Sequence, residues 1–182
     1  MPNLIEKTEI MDKNDVQRAI SRISYEIAER NGGAENMVLI GIQERGVVLA
    51  KKIAEKIKGL EGGEIPLGSM DITFYRDDLT MLSEHPTINS NDIPFSIHDK
   101  KIVLVDDVLF SGRTIRAAIE ELFDMGRPKK IELAILIDRG HRELPIQPDY
   151  IGKSVPTSKK ESIQMEVDAN DEISRVSICT KE

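Results

Sequence analysis

The stretch that most limits what this chain can fold into is Ile102-Val103-Leu104-Val105-Asp106-Asp107-Val108-Leu109-Phe110-Ser111-Gly112-Arg113-Thr114. Its first four residues are a short apolar run rich in β-branched side chains, the pattern of a parallel strand buried on both faces. Two adjacent carboxylates stand at the predicted strand end. Ser-Gly-Arg-Thr then precedes apolar residues at Ile115, Ala118, Ile119, Leu122 and Phe123. That spacing predicts an amphipathic helix. The whole reads strand, acidic pair, small-residue turn, helix, one unit of an α/β fold.

The same order carries chemistry. A small-residue turn at a helix start directs backbone N–H groups and the positive end of the helix dipole at one spot, which suits a phosphate. Adjacent carboxylates beside that cradle repel an anion unless donors or a cation lie between. The two vicinal hydroxyls of a ribose are such donors, and Mg²⁺ fits nearby. The segment therefore describes a ribose-5-phosphate site. A plainer alternative makes Asp106 and Asp107 loop caps and Ser111 or Thr114 the helix N-cap; the complete spacing favours the ribose phosphate.

Composition narrows the classes. The 182 residues suffice for one domain with one core, and 31% charged with 40% hydrophobic residues is ordinary for a globular chain. Aromatic residues at 4%, with no Trp, argue against a base-stacking single-strand binder. A net charge of −7 offers no general attraction to nucleic acid, so RNA binding needs a local basic face. The single Cys179 fits a reducing compartment, and the amino end lacks the apolar core of a signal peptide. A cytoplasmic protein is expected.

Other segments repeat the strand–loop–helix theme. Asp12 to Asn31 predicts a first helix, with Asp12 as N-cap, Asp15 three residues on and Gly32-Gly33 closing it. Val16, Ala19, Ile20, Ile23 and Ile27 form its buried stripe, and Arg18, Arg22 and Arg30 project off it. Met37–Ile42 predicts a buried strand, Gln43-Glu44-Arg45-Gly46 a loop at its end, and Val47–Lys58 a helix. The Arg-Gly tip thus stands at a strand end, where ligands of α/β folds bind. Tyr75-Arg76-Asp77-Asp78 opens a polar stretch to about Asn91 without periodicity, as in a lid or a disordered excursion. Ile131–Ile137 predicts another buried strand, ending in Asp138-Arg139-Gly140-His141-Arg142-Glu143-Leu144-Pro145. Tyr150–Lys153, Ile163–Val167 and Ile173–Cys179 alternate like strands around an Ala169-Asn170-Asp171 turn.

Val-Leu-Val-Asp-Asp-Val-Leu-Phe-Ser-Gly-Arg-Thr resembles the signature of type I phosphoribosyltransferases, which bind phosphoribosyl pyrophosphate (PRPP). The resemblance implies that fold: a mostly parallel central sheet flanked by helices, with a small hood at about 138–158 plus the C-terminal strands, all in one domain over 1–182. By the same resemblance Asp106 and Asp107 hold the ribose hydroxyls and Ser111–Thr114 bind the 5′-phosphate. Gln43, Glu44, Arg45 and Gly46 form the pyrophosphate loop, and the region of Tyr75, Arg76, Asp77 and Asp78 is a flexible lid that excludes water. Asp106, Asp107 and Arg45 are the implied catalytic residues, and Mg²⁺ arrives with PRPP, its direct protein ligand unassigned.

Asp71–Leu79, Asp138–Pro145 and Tyr150–Ser158 narrow the resemblance to the pyrimidine-operon regulatory proteins, which are also uracil phosphoribosyltransferases. That resemblance covers nearly the whole chain. It implies transfer from PRPP to uracil, giving UMP and pyrophosphate, with Ile137, Asp138 and Arg139 forming a hood that reads the uracil edge through backbone groups. It also implies binding of a pyrimidine-operon leader mRNA hairpin, controlled by UMP or UTP, and a homodimer or higher oligomer. Ser21, Arg22, Arg139, Arg142, Lys153, Lys159 and Lys160 are candidates for the RNA face. Tyr25 and Gln147 stand where the family pattern has a His and an Arg, which lowers the charge of that face. Four alternatives remain: catalysis without RNA regulation, a purine-base transferase sharing the 102–114 signature, a nucleotide-sensing RNA binder with negligible catalysis, and a receiver domain. The receiver lacks the Ser-Gly-Arg-Thr turn, and Ile137-Asp138-Arg139 stands where its lysine would be.

Overall fold

The computed structural model describes residues 4–72 and 91–181. In chain order the elements are β1 (Leu4–Met11), α1 (Lys13–Asn31), β2 (Met37–Ile42), α2 (Arg45–Glu61), β3 (Leu67–Met70), β4 (Lys101–Leu109), α3 (Arg113–Met125), β5 (Lys130–Asp138), β6 (Tyr150–Ser154), β7 (Glu161–Val167) and β8 (Ile173–Lys181). The main sheet has the order β3-β2-β4-β5-β6, and every pairing in it is parallel. A smaller antiparallel sheet, β1-β8-β7, stands beside it. Among the described residues, no helix is long and apolar enough to cross a membrane.

The strands are apolar throughout because both faces of the main sheet are covered. Ile102 and Leu104 pack with Ile115, Ala118 and Leu122 of α3. Val103 and Val105 pack on the other face with Leu49, Ala50 and Ile53 of α2 and Ile23 and Ile27 of α1. Asp12 caps α1 by accepting from the Asp15 N–H at 2.8 Å, and Asp15 accepts in return from the Asp12 N–H. The predicted α1 and β2 agree with the structure in extent and in buried stripe.

Four expectations change. Arg45 and Gly46 are the first turn of α2 and not loop residues, so the loop after β2 is only Gln43-Glu44. The acidic pair lies inside β4, which runs on to Leu109 because β5 continues to pair with it. Phe123 is 58% exposed, because the buried face of α3 is centred on Ala118 and takes in Ala117 and Glu121 instead. Tyr150–Ser154, expected in the hood, is the fifth strand of the main sheet. The strand β1, which lacks strong alternation, was not predicted; it is organised by pairing with β8. The expected lid residues Tyr75, Arg76, Asp77 and Asp78 lie outside the described residues.

One buried polar cluster ties α1 to the sheet. Glu132 is 2% exposed and accepts from Asn31 Nδ2 at 2.9 Å and from the Tyr150 hydroxyl at 2.7 Å, and it pairs with Lys130. Burial pushes the Glu132 carboxyl up, but these donors more than offset it and hold its pKa below the usual range. Burial and the adjacent carboxylate raise the Tyr150 hydroxyl. A carboxylate with a lowered pKa stabilises the fold above its unfolded value and loses that contribution as pH falls. Tyr150→Phe should therefore cost about 1.5–3 kcal/mol at neutral pH, with the gap to the parent narrowing below about pH 4. Urea unfolding at both pH values checks this.

Candidate active site

Strand lengths create the site. Pairing of β2 with β4 ends at Gly41 opposite Val105, whereas β4 and β5 remain paired to Leu109 opposite Asp138. Beyond Val105, the edge of β4 freed by β2 is met by the first turn of α2. Two glycines permit that approach. A Cβ on Gly41 would lie 2.5 Å from Val47 Cα, and one on Gly46 would lie 2.5 Å from the Val105 carbonyl oxygen. Both neighbours are backbone and cannot rotate aside. The helix start thus carries Arg45 to Asp107, with Nη1 3.8 Å from the carboxylate. Its Nη2 donates to Gln164 Oε1 of β7 at 3.3 Å. Asp106 is buried, and its carboxylate accepts from the Asp107 N–H at 2.9 Å.

At the end of β4, Gly112 is the N-cap of α3, with φ 93°, and no side chain caps the helix. Neither Ser111 nor Thr114 fills that position. Ser111 Oγ accepts from the Arg113 N–H at 3.3 Å within the turn itself. The first-turn amides of α3 and the dipole behind them therefore form an anion-accepting end just after Phe110-Ser111. Arg113 pairs with Glu143 at 2.7 Å.

The residues after β5 fold back over this turn. The N–H groups of Glu143 and Leu144 donate to the Ser111 carbonyl, and the Arg139 N–H donates to the Leu109 carbonyl. Phe110 is held between two side chains: the Arg139 guanidinium lies 4.1 Å from its ring centre, and the His141 ring meets it edge-on at 5.8 Å. Arg139 also donates from Nε to Thr157 Oγ1 and from Nη2 to the Ser158 carbonyl, each at 2.9 Å. Burial lowers its pKa. Asp138 accepts from the Gly140 N–H at 3.0 Å and from Arg142 Nη2 at 2.7 Å, while its carbonyl accepts from Val155 N–H. Within Ile137–Arg139, the Arg139 N–H and the Asp138 carbonyl thus already have partners. Val155–Ser158 lie against this strand end, joined to it through the Val155 N–H, the Thr157 hydroxyl and the Ser158 carbonyl.

The residues expected on an RNA face divide into two groups. Arg22 donates to the Ile151 and Gly152 carbonyls at 2.8 and 2.6 Å, along the free edge of β6, and Lys153 donates to the Ile10 carbonyl at 2.8 Å. Ser21 bonds back to the Gln17 carbonyl of its own helix. Arg139 and Arg142 are not presented to solvent as that expectation required. Arg142 is 14% exposed, and its guanidinium is taken up by the Ile146 and Phe110 carbonyls and Asp138. Gln164 escaped sequence reading, and Thr157 and Glu143, inside the expected hood, were given no contact of their own. Each stands far along the chain from its partner, so no local pattern marks it.

A parallel sheet with helices on both faces, an acidic pair near the C-terminal end of its central strand and an uncapped turn after that strand define the phosphoribosyltransferase class of fold. Residues 6–170 match the phosphoribosyl transferase domain. The chain is similar to the hypoxanthine phosphoribosyltransferase of Staphylococcus aureus, with a TM-score of 0.72, 17% identity and coverage of 97% and 93% of the two chains. It is likewise similar to that of Trypanosoma cruzi, with a TM-score of 0.71, 16% identity and coverage of 97% and 98%. At those identities the likeness concerns the fold. Sequence relatives are nearer. The chain is 65% identical to the bifunctional protein PyrR of Caldicellulosiruptor bescii, over 93% of each chain. It is 62% identical to that of Acetivibrio thermocellus, over 96% of this chain and 95% of the other. The chain belongs to the PyrR family of phosphoribosyltransferases.

The glycine contacts make a direct prediction. Gly46→Ala must push α2 away from β4, at a cost of about 1–3 kcal/mol. Gly59→Ala, where a Cβ meets nothing within 4 Å, should instead raise stability by about 0.5–1 kcal/mol. Paired denaturant titrations separate the two.

Proposed function

We propose that this chain transfers the phosphoribosyl group of PRPP to uracil, and that in its uridine-nucleotide-bound form it also binds the leader RNA of a pyrimidine operon. The observation that carries the catalytic half is the convergence of three groups. These are the Asp106–Asp107 pair, the uncapped start of α3 after Gly112, and Arg45 within 3.8 Å of Asp107. In this reading the 5′-phosphate lies on the amides of Ser111–Thr114, and the two carboxylates accept from the ribose hydroxyls. Arg45 and the amides around Gly46 face the pyrophosphate. Uracil lies at the end of β5, between Asp138–His141 and Val155–Ser158.

The bond from C1′ to the pyrophosphate oxygen loosens first, leaving positive charge on the sugar. The electron pair departs with pyrophosphate, and uracil N1 then bonds to C1′ and loses its proton. No protein nucleophile is needed. Arg45 stabilises charge growing on the leaving group, and the fixed carboxylates favour the cationic sugar. Mg²⁺ suits the donor set: two carboxylates at one strand end, with substrate oxygens completing the shell. When bound with PRPP it would be faced by Asp106 and Asp107 and would neutralise phosphate charge. The single Cys179 suits a reducing cytoplasm, and a homodimer or higher oligomer belongs to the same reading.

Uracil is preferred to a purine because the relatives above 60% identity are PyrR proteins, whereas the hypoxanthine enzymes share only the fold. Asp107→Asn should lose much of kcat/KM for PRPP with the fold intact. Arg45→Ala should lose about 2–4 kcal/mol of transition-state stabilisation. Steady-state kinetics with uracil and PRPP check both, and parent-like turnover in either variant removes that residue from the site.

A catalyst without RNA regulation is the second reading. It is favoured by the inward guanidinium of Arg142 and by Tyr25, 58% exposed on α1 where the family pattern has a cation. Titrating a leader hairpin with and without UMP across a salt series decides. UMP-enhanced binding with a steep salt slope is expected for the regulator. Weak binding indifferent to UMP leaves the catalyst alone.

A further inference from the structure

The Arg45 side chain reaches across from one sheet to the other. Its Nη1 lies 3.8 Å from the Asp107 carboxylate on β4 of the main sheet, close enough for charge attraction but too far for a hydrogen bond. Its Nη2 donates to Gln164 Oε1 on β7 of the small sheet at 3.3 Å. Among the described residues, the Arg45 side chain makes no other hydrogen bond. The direction of the guanidinium is therefore set by a residue to which the transfer reaction gives no part.

Gln164 can set that direction because β7 is seated on the helix that Arg45 begins. Its strand neighbours Ile163 and Met165 are buried in one core with Leu49, Ala50 and Ile53 of α2. Strand alternation turns Gln164 off that buried side. The turn from β7 into β8 is tied to α2 as well, by the pairs Lys51–Asp171 and Lys52–Glu172. The choice of acceptor also fits the chemistry. A carboxylate at position 164 would orient the fork, but it would cancel charge that the leaving pyrophosphate needs. An amide oxygen orients the fork and leaves its charge intact. A fork already oriented loses less freedom when a polyanion arrives. Charge on the leaving oxygens grows in the transition state, so the gain falls on the chemical step.

We propose that Gln164 is a positioning residue for phosphoribosyl transfer, aiming the Arg45 guanidinium at the departing pyrophosphate through a neutral hydrogen bond from the small sheet. The inference rests on the reading that Arg45 faces pyrophosphate. It gives the C-terminal antiparallel sheet a share in the reaction: β7 supplies the second of two points that fix Arg45, the first being Asp107.

Gln164→Met keeps the length of the side chain and removes the acceptor. It should lower kcat about fivefold and weaken inhibition by added pyrophosphate about fivefold, with KM for uracil within about twofold of the parent. Gln164→Glu keeps an acceptor but adds charge, and should lose at least as much kcat. A double-mutant cycle separates positioning from a general loosening of the sheet. In an Arg45→Lys background, which keeps the charge and lacks the fork, Gln164→Met should cost less than about twofold in kcat. A folded Gln164→Met variant with parent-like kcat overturns the proposal, as does an equal loss in both backgrounds or a Gln164→Glu variant as active as the parent. Should Gln164→Met fail to fold, Gln164→Ala carries the same expectations. NMR relaxation of the Arg45 Nε–H group is a readout independent of turnover: rigid in the parent, mobile in Gln164→Met. If the parent fails to convert PRPP and uracil, the functional reading falls, and the mobility of Arg45 alone then judges the positioning. An Arg45 side chain equally mobile in both forms refutes it.

Discussion

Everything at this site depends on how closely the first turn of α2 can lie against β4. β4 runs four residues past its last pair with β2 at Val105, and that bare edge needs a partner. Gly41 and Gly46 let helix backbone fill the space that side chains would otherwise occupy. The outcome is functional because α2 starts with Arg45. The guanidinium arrives over the same strand segment that carries Asp106 and Asp107, at the C-terminal end of the sheet. Ligands of open parallel sheets bind at that end, where loops and helix starts converge.

The second constraint is the seal between the phosphate turn and the loop after β5. The Ser111 carbonyl, the Phe110 ring and the Leu109 carbonyl all have partners from residues 139–144. Thr157 and Ser158 extend the seal to the segment after β6. The loop after β5, the segment after β6 and the phosphate turn are therefore joined, and their members cannot shift separately without breaking part-buried hydrogen bonds. Arg142 belongs to that body. Its guanidinium, held by Phe110, Asp138 and Ile146, fixes the loop after β5 against the phosphate turn whatever else it touches.

Charge is arranged to suit anionic ligands in a chain of net charge −7. Arg45 faces Asp107, Arg113 faces Glu143, and Arg142 faces Asp138. Each of these three cations thus has a carboxylate beside it, and the more exposed pairs, those of Arg45 and Arg113, are worth little in water. A phosphate can exchange for such a carboxylate at small cost. The buried pair of Arg142 is the one that such exchange would damage.

Much of this was legible in the amino-acid order. Period-2 and period-3.6 patterns, the Asp12 cap, and the spacing of strand, acidic pair and turn at 102–114 are local, and local propensity determines them. So α1, β2, the start of α3 and the family were all readable from residues near one another in the chain. What the tertiary structure alone decided is everything set by neighbours far away in sequence. The acidic pair stays within β4 because β5 continues beside it. Phe123 faces solvent because α3 rolls to bury Ala117 and Glu121, and Tyr150–Ser154 joins the main sheet because the edge of β5 was free. Arg139 and Arg142 read as basic surface by composition, yet an aromatic ring and backbone carbonyls from remote segments turn them inward. A side chain's type is written locally, but its partners are chosen by which surfaces the fold brings together.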